Sequence, residues 1–301
     1  MNYEEFKTYL LAELHNLYGE AALITIEKAY KNNSRHLEGI CIKQKSIDSP
    51  VGFAAYLDDL YSLYQRGMTL EKCVKTVCEE ERSFEYTEEM KAFTGNFLDW
   101  RFVRGHVYPV LLSTKGNLEL LKSLVSTSML DLSIVYTIRV NLKEWGNTDI
   151  KINEELLSYY GISREELHNQ AIRNMEQDGY RFQSMEDVLK EMCPFELWEE
   201  EKEKGGNEPP MYVLTNRAKI YGAAGILNRK LLREFTGGRS FYILPSSCHE
   251  TIFIPAELGS NSKALDYMVA DINRTEVLKE DRLSNHSYYY DGEAGDIRMC
   301  A

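Results

Sequence analysis

The sequence lacks any long uncharged stretch. Its two longest runs without Asp, Glu, Lys or Arg, residues 105–114 and 240–249, have ten residues each, whereas a membrane-spanning helix needs about 20. The first residues carry acidic side chains where a secretory signal peptide would carry basic ones before an apolar run. We therefore expect a soluble, cytoplasmic protein without a membrane segment.

Short-spaced cysteine pairs are also absent. None of the six cysteines has a partner at the two-residue spacing of zinc knuckles and redox motifs. Cys73 and Cys78 fall on the apolar face of a predicted helix, which indicates buried thiols in a reducing compartment. Five histidines are scattered without a Cys, His or acid partner at ligand spacing, namely His15, His36, His106, His168 and His286. We therefore predict no metal site and no cofactor.

Several nucleotide- and metal-binding motifs are missing. The sequence has no P-loop, dinucleotide-binding glycine fingerprint, EF-hand loop or His-Glu zinc helix signature. Its 35 Lys and Arg residues against 47 Asp and Glu residues give a net charge of −12 and a pI near 5.1. Because nucleic acid binding needs a cationic surface, nucleic acid is not expected as a partner.

Acidic residues are concentrated in two segments, 79–89 and 196–208, and the second continues into Pro209-Pro210. Such runs are typical of solvated connecting segments. An acidic docking patch is the alternative interpretation.

Hairpin and helical patterns alternate along the chain. Alternating apolar residues predict hairpins over 22–44, 130–152 and 240–254, each followed by one or two helical segments. This order favours an α+β fold with mostly antiparallel, hairpin-based sheets and helices packed on one face. We predict two subdomains, 1–126 and 127–301.

Local signals define further elements. One helix is predicted to begin near Phe53 and to end at Gly67, and the next to begin after Thr69 as N-cap. A long strand is predicted over 98–112, where Pro109 indicates a sheet edge or a bulge.

The candidate catalytic segment connects two predicted strands and consists of Ser246, Ser247, Cys248, His249 and Glu250. A nucleophile, a base and an orienting carboxylate are the residue types that nucleophilic catalysis requires. In an extended backbone, however, successive side chains point to opposite faces, so Cys248 and His249 would not pair directly. A structural hairpin turn remains the alternative, because Pro-Ser-Ser is also common in turns.

One predicted helix, over 217–235, carries the only basic face of this acidic sequence. At 3.6 residues per turn its cationic residues fall within about 100° of one another, and they are Lys219, Arg229, Lys230 and Arg233. These are the candidate binding residues for an acidic protein partner or for acidic segments of the same chain, and a solvated helix face is the alternative. Gly222 and Gly225 lie within this helix at a cost of roughly 1 kcal/mol each relative to Ala, so we expect a close backbone contact there.

Tyrosine outnumbers phenylalanine, 20 to 11, which indicates many half-exposed aromatic positions. The densest group is Tyr288-Tyr289-Tyr290 on a predicted strand over 286–290. We predict that this strand lies at a sheet edge, where its exposed face would contribute to a homodimer.

Several strings of the sequence resemble an uncharacterised bacterial family. They are MNYEEFKTYLL at the start, LDLSIVY (130–136), INEELLSYYGISREELHNQAIRN (152–174), PMYVLTNRAKIYGAAGIL (210–227), FYILPSSCHETIFIP (241–255) and MVADINRTEVLKEDRLSNHSYYY (268–290). Through them the chain is similar to the domain-of-unknown-function family 5688, found largely in anaerobic gut Firmicutes. The segments 152–174 and 241–255 are distantly similar to domain of unknown function 1444. The resemblance implies a bacterial cytosolic protein and implies no activity, cofactor or catalytic residue.

Two classes of function follow. The absence of a strong catalytic signature favours a non-enzymatic accessory or protein-interaction factor. The alternative is a hydrolase or transferase that uses the segment 246–250. Thiol reactivity distinguishes the two, because an activated cysteine has a depressed pKa and reacts rapidly near neutral pH.

Overall fold

The structure is a computed structural model that describes residues 1–48, 52–142, 146–192, 210–258 and 261–300. Contacts divide the chain into two compact units, Met1–Phe97 and Leu98–Ala301. The sequence prediction placed the division near residue 126. The two divisions differ in where they place the segment 98–126. This segment belongs to the second unit, because its residues 107–113 pair as a strand with residues 132–138. Within the described ranges, no helix has the length and apolar character needed to cross a membrane.

The first unit contains a three-stranded antiparallel sheet and four helices among its described residues. The strands, in sheet order, are β1 (Ala22–Lys31), β2 (Arg35–Gln44) and β3 (Phe53–Tyr56). The helices are α1 (Tyr3–Tyr18), α2 (Leu57–Gln65), α3 (Leu70–Ser83) and α4 (Glu88–Asn96). The predicted hairpin over 22–44 is confirmed, and Thr69 caps α3 as predicted by accepting a hydrogen bond from the backbone of Lys72.

The core of the first unit forms where the apolar face of α1 meets the sheet and α3. Phe6, Leu10 and Leu14 recur every four residues and are fully buried, as expected for one face of a helix. Cys73 and Cys78 belong to the same core. The prediction that these two cysteines are buried thiols is confirmed.

One prediction for the first unit is wrong and another holds in part. Phe53 does not begin a helix, because residues 53–56 pair with β2 as a strand. The acidic segment 79–89 is largely exposed, as predicted, but only residues 84–87 are a connection, because the rest forms the end of α3 and the start of α4. Glu81 is buried and accepts hydrogen bonds from Tyr18 Oη (2.9 Å) and Gln44 Nε2 (2.7 Å). The second acidic segment, 196–208, lies outside the described residues.

The described residues of the second unit form two antiparallel sheets. In the first, β4 (Val107–Ser113) pairs with β6 (Leu132–Leu142), whose other edge pairs with β5 (Ser126–Met129) and then with β7 (Gly146–Lys151). The second sheet has the order β13-β12-β10-β11-β9-β8. Its strands are β8 (Arg181–Ser184), β9 (Tyr212–Thr215), β10 (Phe241–Leu244), β11 (Thr251–Pro255), β12 (Tyr288–Asp291) and β13 (Asp296–Met299).

Helices connect and cover these sheets. They are α5 (Trp100–Val103), α6 (Leu118–Leu121), α7 (Glu154–Tyr160), α8 (Arg164–Met175), α9 (Met185–Met192), α10 (Arg229–Thr236) and α11 (Ser262–Thr275). On one face of the six-stranded sheet, Leu265 and Val269 of α11 pack against Leu244 and Ile254. On the opposite face, Phe235 of α10 stacks on Phe182. The α+β fold with antiparallel, hairpin-based sheets is confirmed.

The long strand predicted over 98–112 is wrong in its first half. Asp99 caps α5 by accepting a hydrogen bond from the backbone of Arg101 at 2.9 Å, so the chain is helical before β4 begins at Val107. The edge position indicated by Pro109 is confirmed, because β4 pairs with β6 alone in its sheet.

The tyrosine-rich strand is not at an edge. β12 lies between β10 and β13, and Tyr288 and Tyr290 are fully buried. The unpredicted strand β13 takes the edge position instead. The edge on which the homodimer hypothesis depended is therefore occupied by the chain itself, and the homodimer remains an untested prediction.

The helix predicted over 217–235 is interrupted. Lys219 and Tyr221 have φ values of 53° and 54°, a left-handed conformation that an α-helix does not allow. A 3₁₀ helix follows over Gly222–Leu227. The α-helix α10 begins only after Asn228, whose side chain accepts a hydrogen bond from the Leu231 backbone at 3.0 Å.

Candidate functional site

The segment that connects β10 to β11 is held by backbone hydrogen bonds to a later loop. Cys248 N–H donates to the Asp281 carbonyl at 2.8 Å, and Leu283 N–H donates to the Ser246 carbonyl at 3.0 Å. Ser246, Ser247 and Cys248 are at most 5% exposed. The segment is therefore a buried, paired connection, and it brings Asp281 next to the candidate catalytic residues.

The Asp281 carboxylate lies between the thiol and the imidazole. Its Oδ1 accepts a hydrogen bond from Cys248 Sγ at 3.7 Å and lies 3.3 Å from His249 Nε2. The ligand-type atoms of these three residues all lie within 4.8 Å of one another. We call Cys248, His249 and Asp281 the Asp281 cluster. In this cluster the nucleophile and the base both face a shared carboxylate.

The environment of Cys248 keeps its thiol protonated. Burial raises the pKa of the Cys248 thiol far above its ordinary value, and the charges of Asp281 and Glu250 raise this pKa further. Glu250 itself is partly exposed. Because the thiolate is the nucleophilic form of cysteine, Cys248 acts at neutral pH as a hydrogen-bond donor.

Both ring nitrogens of His249 are engaged within the chain. Tyr221 N–H donates to Nδ1 at 3.3 Å, and the two rings stack with their centroids 5.9 Å apart. Since Nδ1 accepts, the neutral ring carries its proton on Nε2, which faces Asp281. The His249 amide donates to Ser247 Oγ at 3.0 Å, so one candidate hydroxyl is also part of the local hydrogen bonding.

Gly222 explains how the chain passes so close to His249. A Cβ atom at this position would lie 2.5 Å from the His249 carbonyl oxygen and 2.5 Å from Thr215 Oγ1. At Gly225 a Cβ atom would lie 2.6 Å from the ring of Tyr180. The close contacts expected at these two glycines are confirmed, although the segment is a 3₁₀ helix and not the start of an α-helix.

A second group of charges lies nearby in the same unit. Arg139 Nη1 is 3.1 Å from Asp178 Oδ2, and Arg139 Nε is 3.8 Å from Asp149 Oδ1. We call Arg139, Asp149 and Asp178 the Arg139 cluster. The guanidinium also lies over the ring of Tyr108, 4.4 Å from its centroid. Burial raises the pKa of both carboxyl groups, and Arg139 opposes that rise.

Hydrogen bonding in the Arg139 cluster is incomplete. Arg139 Nε and Asp149 Oδ1 are buried atoms without a hydrogen-bond partner among the described residues. Buried polar atoms normally find partners, so the 3.8 Å separation leaves both atoms available to a water molecule or a polar ligand.

Tyr221 connects the two clusters electrostatically. Burial raises the pKa of Tyr221 to about 12, and the charges of Asp149 and Asp281 add to this rise. The pKa of this phenol therefore depends on carboxylates from both clusters.

Sequence reasoning found Cys248 and His249 but missed the residues around them. Asp281 follows a different helix, and no local motif indicates its position. Arg139 and Asp149 are opposite each other in the β6–β7 pair, so the register of that hairpin could have shown this charge pair.

The predicted basic residues are distributed differently from the helical pattern. Lys219 lies in the turn before the 3₁₀ helix and is not part of α10. Arg229 pairs with Asp296 (2.8 Å), and Lys230 lies 3.8 Å from Glu176. Arg233 donates to the carbonyl of Glu293 at 3.4 Å. The side chains of Arg229 and Lys230 are 77% and 81% exposed, so both reach solvent despite these contacts.

Comparison with known proteins places the chain in a family. A family model described as a family of unknown function (DUF5688) matches residues 3–292. The chain belongs to this family, as its sequence strings indicated. No curated protein and no solved structure matches it.

Proposed function

We propose that this DUF5688 protein is a non-enzymatic accessory or protein-interaction factor of the bacterial cytoplasm. The observation that carries the proposal is the orientation of Cys248 and His249 toward Asp281. Nucleophilic catalysis needs a deprotonated nucleophile next to a base that takes its proton. In the Asp281 cluster the thiol keeps its proton, and the imidazole directs its own proton at the carboxylate.

The exposed cations Arg229, Lys230 and Arg233 are the proposed binding surface, and an acidic protein segment is the proposed partner. The ion pairs that Arg229 and Lys230 make within the chain are exposed, and pairs of this kind are worth about 0–1 kcal/mol. An acidic partner would therefore displace the carboxylates of Asp296 and Glu176 at little cost. Lys219 is a further candidate from its position in the neighbouring turn.

The alternative is a hydrolase or transferase that uses Ser246, Ser247, Cys248, His249 and Glu250. The proximity of Cys248, His249 and Asp281 favours it, because these are the residue types of a cysteine-based triad. It would require the thiol to turn from Asp281 to His249 and lose its proton.

Covalent probes test the proposal against this alternative. The full-length chain is treated with iodoacetamide and, separately, with a fluorophosphonate at neutral pH in the presence of a metal chelator, and labelled sites are mapped by mass spectrometry. We expect Cys248 to react more slowly than a free thiol, and Ser246 and Ser247 to remain unlabelled. A Cys248→Ala variant identifies the signal of this thiol. Rapid labelling at any of the three positions would contradict the proposal.

A further inference from the structure

We propose that the Asp281 cluster is a binding site for a divalent transition-metal ion, with Zn²⁺ as the best-fitting ion. Cys248 Sγ, His249 Nε2 and Asp281 Oδ1 would be its ligands. This inference does not rest on the non-enzymatic function. A bound ion would join the β10–β11 connection to the loop after α11, whatever the protein binds or does.

The donor set is one that zinc prefers. Thiolate sulfur, imidazole nitrogen and carboxylate oxygen are its usual protein ligands. A deprotonated Cys248 and an ionised Asp281 would together balance the two positive charges of the ion. Glu250 adds negative charge near the thiol, which favours a cation there.

The distances also fit. With the usual zinc–ligand bond lengths, a tetrahedral site places N and O about 3.4 Å apart and S and O about 3.6 Å apart. The observed separations are 3.3 Å between His249 Nε2 and Asp281 Oδ1 and 3.7 Å between Cys248 Sγ and the same oxygen. The sulfur and nitrogen atoms lie within 4.8 Å of each other, so this separation would shorten by at most about 1.3 Å to reach the tetrahedral value of about 3.5 Å.

Metal binding would change the hydrogen bond to Tyr221. Nε2 must offer its lone pair to the ion, so the ring proton moves from Nε2 to Nδ1, where Tyr221 N–H now donates. That bond, 3.3 Å long, would break. The Tyr221 amide would then have no acceptor on His249, while Asn216 would still hold Ile220 by two hydrogen bonds. Cys248 would give up its thiol proton to solvent.

The test uses the full chain, freed of metal with a chelator that is then removed. Calorimetric titration with Zn²⁺ should show one site, and Co²⁺ should give the absorption of a cobalt–thiolate bond. Cys248→Ser and Asp281→Asn should each weaken binding by at least about 10-fold. Cys300→Ser, which removes a half-buried thiol outside the cluster, should leave the affinity unchanged. Equal affinity in Cys248→Ser and the unchanged chain would overturn the proposal.

Two measurements on the unchanged chain remain informative if the variants fold poorly. Zn²⁺ should protect Cys248, and not Cys300, from alkylation. It should also accelerate hydrogen exchange at the Tyr221 amide. Absence of a bound ion at micromolar Zn²⁺, or binding without protection of Cys248, would show that the cluster is not a metal site. Neither result would affect the proposed non-enzymatic function.

Discussion

Asp281 Oδ1 lies 3.3 Å from His249 Nε2, although the two residues are separated by the whole of β11 and α11. The same oxygen accepts the hydrogen bond of the Cys248 thiol. The thiol and the imidazole of the Ser-Ser-Cys-His-Glu segment therefore both face one carboxylate. The same contact brings together Cys248, His249 and Asp281, whose side chains are of types that bind metal ions.

Replacing Asp281 with alanine should lower the free energy of unfolding by about 1–2 kcal/mol. The buried Cys248 thiol would lose its acceptor, and a buried donor left unpaired costs free energy. Urea denaturation in the presence of a chelator measures the change. Asp296→Ala is the matched control, because it removes a carboxylate from an exposed ion pair and should cost less than about 0.5 kcal/mol. Equal losses in the two variants would contradict this account.

Gly222→Ala should destabilise the protein by about 1–3 kcal/mol or more, because the added methyl group would overlap backbone and side-chain atoms. The His249 carbonyl cannot move without disturbing the Asp281 cluster. Gly95→Ala in α4 is the control, since nothing lies within 4 Å of its Cβ position. That variant should be neutral or stabilising by up to about 1 kcal/mol. Thermal unfolding compares the two, and a neutral Gly222→Ala would show that the close contact is absent.

The Arg139 cluster should give stability an unusual dependence on pH. Burial raises the pKa of Asp149, so this carboxyl binds more protons in the folded than in the unfolded chain. Its contribution to stability therefore decreases as the pH rises from about 3.9, the ordinary pKa of Asp, through the raised pKa of the folded state. The difference in unfolding free energy between the unchanged chain and Asp149→Asn should fall over that range.

Asp266 provides a control of opposite sign. Burial by itself would raise the pKa of the Asp266 carboxyl group. Hydrogen bonds from Ser287 and His286 outweigh burial and lower this pKa below its ordinary value. Its contribution to stability should therefore be present above about pH 3.9 and be lost as the pH falls through the lowered pKa. Denaturation curves of Asp266→Asn between pH 3 and 7 test this. Parallel pH profiles for the two variants would contradict the assigned environments.

The basic residues of α10 should bind an acidic polypeptide in a salt-dependent way. Poly-glutamate serves as the probe, and binding should weaken as the Debye length falls from about 10 Å at 0.1 M salt to about 3 Å at 1 M. Reversing Arg229, Lys230 and Arg233 to Glu should abolish binding and leave the fold intact. A matched reversal of three exposed lysines elsewhere, Lys75, Lys91 and Lys122, should reduce binding much less. Equal effects of both triple variants would remove α10 as the binding surface.

Local signals predicted the parts of the fold that local interactions determine. The hairpin over 22–44 follows from side-chain alternation, and the start of α3 follows from the Thr69 hydroxyl. The helix over 217–235 could not be predicted correctly, because the left-handed residues Lys219 and Tyr221 lie in a segment that donates hydrogen bonds to Asn216 and His249. The helical periodicity of the sequence gives no information about those contacts.

The candidate site shows the same limit. Cys248 and His249 are adjacent in sequence and were found as a pair, but the raised pKa of Cys248 depends on burial and Asp281, and the hydrogen bond to His249 Nδ1 comes from Tyr221. The interior position of β12 depends on β13, a strand of only four residues that pairs with β12 across a short turn and was not predicted. The contact with Asp281 is long-range, and a single sequence does not show such contacts.

The rate of Cys248 alkylation as a function of pH tests the central claim most directly. The measurement uses the unchanged chain with a chelator, follows Cys248 and Cys300 in the same sample, and repeats the series with Asp281→Asn. We expect the rate at Cys248 to be still rising well above pH 8.5, the ordinary pKa of a free thiol, and the Asp281→Asn profile to be displaced to lower pH. A rate at Cys248 that reaches its plateau near neutral pH would show an activated thiolate and would contradict the account.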